Sequence, residues 1–332
     1  MIQVAVLGAG MMGKAHVQAL TQIEDVAIHT ITATRLERAS ALAQTVGARA
    51  EIEIDRVLDD PQVEVIDITL PTPLHAPIAI RALEAGKHVI VEKPMALTLA
   101  EADAMIEASI KANRLLLVAH LLRFWPEYQA IQARLSDSQG GSPLFMSAYR
   151  LSKFPTWGEW FRDPEASGGA VLDLHIHDLD VANWLLGTPL SVRAQGVQTA
   201  SGAWNHVTTL IEYASGASAS VEGSLMMPNS FPFRHGVRVL REHEAIEYQM
   251  RAGGSSFEMG QPENSFYVFE NAGIHSLAVE KHDPFVQQLQ HFIACIRAGE
   301  PSQVITPQQA RLALQVSLAS KASLISKKTV LI

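Results

Sequence analysis

Three short constellations in this 332-residue chain combine residue types and spacings that chemistry can use. The first is Gly8-Ala9-Gly10-Met11-Met12-Gly13, which follows the apolar run Ile2-Gln3-Val4-Ala5-Val6-Leu7 and leads into a helical pattern from Lys14 to Gln22. A G-x-G-x-x-G turn between strand and helix cradles a pyrophosphate: Gly8 permits the tight turn, Gly10 clears space for the phosphates, and Gly13 lets the helix pack closely. The unpaired N–H groups of the helix start face the same place. The second is Lys93, closing the run His88-Val89-Ile90-Val91 between Glu92 and Pro94. An amine at the carboxyl end of a parallel strand lies where open α/β folds bind ligands, and it can exchange a proton with a hydroxyl. The third is Asp173 with His177, spaced i, i+4 in a helical pattern, so that the carboxylate can hold the imidazole in one orientation as a base requires. His175 lies two positions from His177 and points away from it on a helix, which argues against a metal pair.

These residues need a scaffold, and the chain supplies alternating patterns for one. Strand-like runs at 26–32, 63–70, 88–91 and 115–119 alternate with helical ones at 36–46, 76–85 and 99–113. Repeated β-α units predict a doubly wound parallel sheet, a Rossmann domain over residues 1–119. Beyond His120 the texture changes. A Gly/Ser segment at 138–142 and one strong helix at 170–186 precede strand-like runs at 192–199, 207–213, 217–225, 234–240 and 245–250. Helical patterns at 284–298 and 307–326 close the chain. Residues 120–332 are therefore expected to form an α+β domain on a large open, mainly antiparallel sheet. An open sheet face predicts a homodimer or homotetramer built through that sheet.

Composition narrows the class. Hydrophobic residues make up 48% and charged residues 18%, as in a well-packed globular chain. The net charge of −8, with no basic cluster, argues against nucleic acid. No apolar run has bilayer length, and the first strand pattern begins at Ile2, leaving no room for a signal peptide. A single cysteine, Cys295, lies within an apolar pattern and fits a core position in a reducing compartment. The expected location is the cytoplasm.

Further motifs give the pattern a family. Ala85-Gly86-Lys87-His88-Val89 leads into Glu92-Lys93-Pro94, and Gly168-Gly169-Ala170-Val171-Leu172-Asp173 is followed by His177 and Asp180. With the glycine turn, and with Phe292 and Thr306-Pro307 near the end, the chain resembles the glucose-fructose oxidoreductase, inositol dehydrogenase and rhizopine-catabolism (Gfo/Idh/MocA) family over nearly its whole length. The resemblance implies an NAD(P)-dependent dehydrogenase or reductase acting on a CH–OH group of a sugar, cyclitol or related polyol. It implies a cis Lys93–Pro94 bond, proton transfer by Lys93 and His177, and orientation by Asp173. It also places Leu70-Pro71-Thr72 and His75 against the cofactor ribose and nicotinamide, beside Gly8, Gly10, Met11, Met12, Gly13, Glu92, Lys93 and Pro94.

At the end of the second strand an NAD site usually presents a carboxylate, but this chain has Ala33-Thr34-Arg35. Thr34 and Arg35 suit a 2′-phosphate, so NADP is expected to be preferred over NAD. Arg123, beside Phe124 and Trp125, and the aromatics Trp157, Trp160 and Phe161 are either core or substrate contacts. Arg123 and Trp160 are taken as substrate-binding, with Lys93, Asp173 and His177. Two other functions remain open: a glycosidase using transient oxidation by the cofactor, and a dinucleotide-binding regulator without catalysis.

Overall fold

The computed structural model describes residues 1–156, 158–253 and 262–332; Trp157, grouped above with Trp160 and Phe161, lies outside them. The chain divides into two compact units, one of Met1–Phe124 with His282–Arg311, the other of Trp125–Lys281 with Leu312–Ile332.

In the first unit, strands β1 (Ile2–Leu7), β2 (Val26–Thr32), β3 (Arg49–Glu51), β4 (Val65–Ile68), β5 (His88–Glu92) and β6 (Leu116–Ala119) form a parallel sheet in the order β3-β2-β1-β4-β5-β6. The order reverses beside β1, which makes the carboxyl edge at that point a ligand crevice. Helices α1 (Met11–Leu20), α2 (Leu36–Ala43), α3 (Ile54–Leu58), α4 (His75–Glu84) and α5 (Leu99–Ala112) connect the strands. Strands covered on both faces must be apolar throughout, and Val4, Ala5, Val6 and Leu7 are all fully buried. Helix α5 starts where Thr98 and Glu101 form a reciprocal capping box.

The second unit opens with α6 (Pro126–Leu135), β7 (Pro143–Leu151), α7 (Pro164–Ser167), α8 (Gly169–Asp173) and α9 (Ile176–Leu186). Then come β8 (Pro189–Gln198), β9 (Trp204–Tyr213), β10 (Ser218–Ser224), β11 (Arg234–Arg241), β12 (Glu244–Arg251), β13 (Glu263–Glu270) and β14 (Gly273–Ser276). Helix α10 (Pro284–Ala298) belongs to the first unit, where its apolar face of Leu289, Phe292 and Ile293 is buried and Phe292 meets Phe124 edge-on at 5.6 Å. The single boundary expected at 119/120 thus gives way to a chain that returns to the first unit at His282. Helix α11 (Pro307–Ser326) and β15 (Val330–Leu331) complete the chain.

Among the described residues the second sheet runs β14-β13-β12-β11-β7-β10-β9-β8-β15, antiparallel except for the β7–β10 pair. Register puts Ala148 of β7 between Val221 of β10 and Val237 of β11, all buried. The alternate positions point the other way, and Leu210, Leu240, Tyr267 and Ile274 remain exposed there. No helix among the described residues is long and apolar enough to cross a membrane.

Candidate active site

The glycine turn has the geometry its spacing requires. Gly8 has φ +120°, and a Cβ on it would lie 2.7 Å from Thr69 Oγ1. A Cβ on Gly13 would lie 1.9 Å from the Gly8 carbonyl oxygen, so the helix start is pressed against the turn. Around Gly10 a Cβ would meet nothing within 4 Å, and Gly10 caps α1 without any side-chain hydrogen bond. The helix start therefore combines open space with N–H groups that no cap occupies, and this set fits a dinucleotide pyrophosphate. Met11 is exposed and Met12 half-buried beside it.

Three further segments reach the carboxyl edge of the first sheet. Thr34 and Arg35 are exposed immediately beyond β2, and Arg35 caps α2 in an extended conformation. Leu70 and Pro71 are half-buried beyond β4, and Thr72 is buried. The His75 ring is buried, with Nδ1 2.8 Å from the Pro94 carbonyl oxygen and Nε2 2.7 Å from that of Leu70. It thus ties the loop after β4 to the loop after β5. Burial lowers its pKa, although both carbonyls pull it upward.

Lys93 follows β5 directly, and its bond to Pro94 is cis. Between Val89 and Ala96 every residue is buried except Lys93. The Glu92 carboxylate turns inward, where Oε1 meets His16 Nε2 at 3.0 Å and Oε2 accepts the Lys93 backbone N–H at 3.1 Å. His16 Nδ1 lies 2.9 and 3.0 Å from the two oxygens of Asp67. Neither His16 nor Asp67 was singled out from the sequence. A signal was there: Asp67 interrupts the buried strand Val65-Ile66-Asp67-Ile68, and a carboxylate there requires a partner.

In the second unit the single helix expected across 170–186 is broken. The His175 N–H reaches back to the Ala170 carbonyl at 2.8 Å, and the His177 N–H bonds to Leu174 instead of Asp173. The break follows from His175, whose buried ring points into the sheet and meets Thr209 Oγ1 at 2.9 Å. Gly223 makes room for it, since a Cβ there would lie 2.9 Å from His175 Nδ1. Burial pushes the His175 pKa down to about 3, so it serves as a neutral anchor. Asp173 and His177 therefore do not share a continuous helix, yet they are the two half-buried residues in the run 167–183, whose other members are all buried.

Asp178 adds a second anchor beside His177. Its carboxylate accepts from Arg150 Nε at 2.8 Å and Nη2 at 3.0 Å, with both side chains buried. Burial raises the Asp178 pKa, and the guanidinium opposes that rise. Asp180 is also buried. Trp160 is half-buried and stacks on Phe161 with centroids 4.1 Å apart.

Arg123 differs from its expected role as a substrate contact. It is 1% exposed, and its Nη1 donates to the Val304 carbonyl at 2.8 Å and to Gln309 Oε1 at 2.9 Å. The guanidinium fastens Val304 and the first turn of α11 within the first unit. Cys295 is buried, and desolvation raises its thiol pKa, as suits a core position.

A parallel sheet whose glycine turn feeds an open helix end defines a Rossmann-type dinucleotide-binding protein. Comparison with known proteins carries this further. Residues 2–120 match the family described as "Oxidoreductase family, NAD-binding Rossmann fold", and residues 128–246 match the GFO/IDH/MocA C-terminal domain. The chain belongs to the Gfo/Idh/MocA oxidoreductase family, and its first unit carries an NAD(P)-binding Rossmann fold. A similar protein is scyllo-inositol 2-dehydrogenase (NAD(+)) of Bacillus subtilis, 28% identical over 96% of this chain and 93% of the relative. Another is myo-inositol 2-dehydrogenase of Thermotoga maritima, 25% identical over 99% of this chain and 98% of the relative. Among solved structures, the aldose-aldose oxidoreductase of Caulobacter crescentus has the same fold, with a TM-score of 0.87 at 21% identity over 100% of this chain and 99% of that one.

Proposed function

We propose that this oxidoreductase interconverts a secondary alcohol and a ketone on a sugar, cyclitol or related polyol. When bound, the nicotinamide dinucleotide supplies the hydride acceptor or donor. Lys93 and His177 carry the hydroxyl proton: in oxidation one of them accepts it at Nζ or at a ring nitrogen, and in reduction the same group returns it. Asp173 orients the His177 imidazole, and Trp160 offers a flat apolar face to a sugar ring. The exposure pattern carries the reading. Lys93 is the residue left accessible in a buried stretch, and the accessible pair in the other buried stretch is Asp173 and His177. Other ionisable members of these stretches, Glu92, His175, Asp178 and Asp180, are buried, so accessibility sets Lys93, Asp173 and His177 apart from their polar neighbours.

The cofactor preference in this reading is NADP. Ala33 removes the carboxylate that would accept from free ribose hydroxyls, while exposed Thr34 and Arg35 offer a hydroxyl and a guanidinium to a 2′-phosphate. The exposed apolar residues on the second sheet, Leu210, Leu240, Tyr267 and Ile274, support assembly into a homodimer or homotetramer through that face.

The decisive experiment screens polyols and keto-sugars with both dinucleotides, following absorbance at the nicotinamide band. Lys93→Ala should lower kcat by about two to four powers of ten on the substrate so found. Near-normal turnover would remove Lys93 from the reaction.

A further inference from the structure

The buried trio of His16, Asp67 and Glu92 joins the helix of the glycine turn to the strand that ends at Lys93. His16 lies on α1, Asp67 on β4 and Glu92 at the end of β5, and all three are buried. Two carboxylates without a cation would be costly here, and an apolar trio would pack the same space without that cost. The arrangement uses both ring nitrogens: Nδ1 faces the two Asp67 oxygens and Nε2 faces Glu92 Oε1. Only an imidazolium can donate from both. Burial opposes that charge, but the two carboxylates outweigh it and raise the His16 pKa to about 10. The same interaction holds the Glu92 carboxyl below its ordinary value.

The bonding continues to Lys93. Glu92 gives one oxygen to His16 and the other to the Lys93 backbone N–H. On the far side of Lys93, the Pro94 carbonyl meets His75. The Lys93 backbone is therefore held from both directions. Among the described residues, the groups facing the trio include Lys93 just beyond β5, His75 on α4, and the Phe285 ring of α10, edge-on to His16 at 6.1 Å.

We infer that His16 is a positioning residue for proton transfer, acting through the Glu92 carboxylate to fix the backbone from which the Lys93 amine extends. The inference rests on the proposed role of Lys93, and the two can be tested apart. The experiment is a double-mutant cycle of His16→Gln, Lys93→Met and the double variant, with folded enzyme counted by dinucleotide-induced fluorescence change. His16→Gln should lower kcat by about tenfold to a hundredfold, the range expected when a reacting group is misplaced. In the Lys93→Met background the same substitution should cost less than about threefold, because its effect passes through the missing amine.

An equal loss in both backgrounds would overturn the inference and leave the role of Lys93 intact. If Lys93→Met itself turns over normally, the proton role of Lys93 fails and the inference falls with it. Where Lys93→Met is impaired, positioning is read a second way, from the rate at which acetic anhydride acylates Lys93, followed by peptide mass spectrometry. A change of about threefold or more between wild type and His16→Gln supports the inference, and equal rates overturn it. Should His16→Gln not fold, Glu92→Gln takes its place in the same cycle with the same outcomes.

Discussion

The buried imidazolium gives the protein an alkaline limit that can be worked out from the structure. His16 has an ordinary pKa of 6.5 and is raised to about 10 in the fold, with burial opposing the rise and Asp67 and Glu92 producing it. A group raised on folding contributes its full stability below its unfolded pKa and loses that contribution as pH climbs through the folded one. Other histidines act in the opposite direction. Burial lowers His75, His88, His175, His235 and His291, so their contribution is present above the ordinary histidine pKa and is lost as pH falls below it. By pH ~7.5 these groups are neutral in both states, and from there to pH ~9 the raised groups act in one direction: His16 throughout, joined toward pH ~9 by the buried Cys295 thiol. Within the window the His16 contribution should fall by about 1.4 kcal/mol per pH unit, or roughly 2 kcal/mol in all, because unfolding releases its proton. Urea unfolding at several pH values measures the slope. Proton NMR of the imidazole C–H resonances, assigned with His16→Gln, reports the group directly. Stability that stays flat or rises across the window, or a His16 resonance with a midpoint below pH ~8, would refute the reasoning.

Three other outcomes follow from the geometry. Arg35→Ala should weaken NADP by roughly tenfold to a hundredfold and NAD far less, read by fluorescence titration; equal weakening of both would make Arg35 an ordinary solvated residue. Gly13→Ala sets a methyl group 1.9 Å from the Gly8 carbonyl oxygen, so it should cost at least about 1–3 kcal/mol and abolish tight dinucleotide binding, whereas unchanged affinity would contradict the turn as described. Asp178→Asn leaves the Arg150 guanidinium buried without its counter-charge and should cost about 3–5 kcal/mol in urea unfolding, with a cost under about 1 kcal/mol meaning that water reaches the pair.

Strands β1, β4, β5 and β6 were legible because they are almost wholly buried, whereas the short, partly exposed β3 and the single-turn α3 after it were not read. An uninterrupted apolar run such as Val4-Ala5-Val6-Leu7 can be read without knowing its partner. Helix starts were legible where local bonds define them, as at Thr98 and Glu101. Strand β7 was not read, although it lies in the middle of the second sheet. Its core-facing positions are Met146, Ala148 and Arg150, and the arginine breaks the apolar alternation. Arg150 is tolerated there because Asp178 meets it from α9, a pairing that no local pattern reveals. The break between α8 and α9 has the same origin: intrinsic propensity favours one helix, while the buried His175–Thr209 bond divides it.

The candidate site shows where a single sequence stops being informative. Lys93 and His177 could be chosen by residue type and neighbourhood, but their neighbours carry the information about geometry. Glu92 precedes Lys93, while His175 and Asp178 bracket His177, and each of these buried polar side chains is bonded inward to another element. In both places a half-exposed reactive group is set in the chain among polar residues anchored in the interior. Such anchors are costly to bury, and each requires a partner distant in sequence: Asp67 and Glu92 lie 51 and 76 positions from His16. Apolar neighbours would fill the same space, but they slide and repack. A hydrogen-bonded charge fixes direction as well as distance, which is what a proton-transferring group requires of its support.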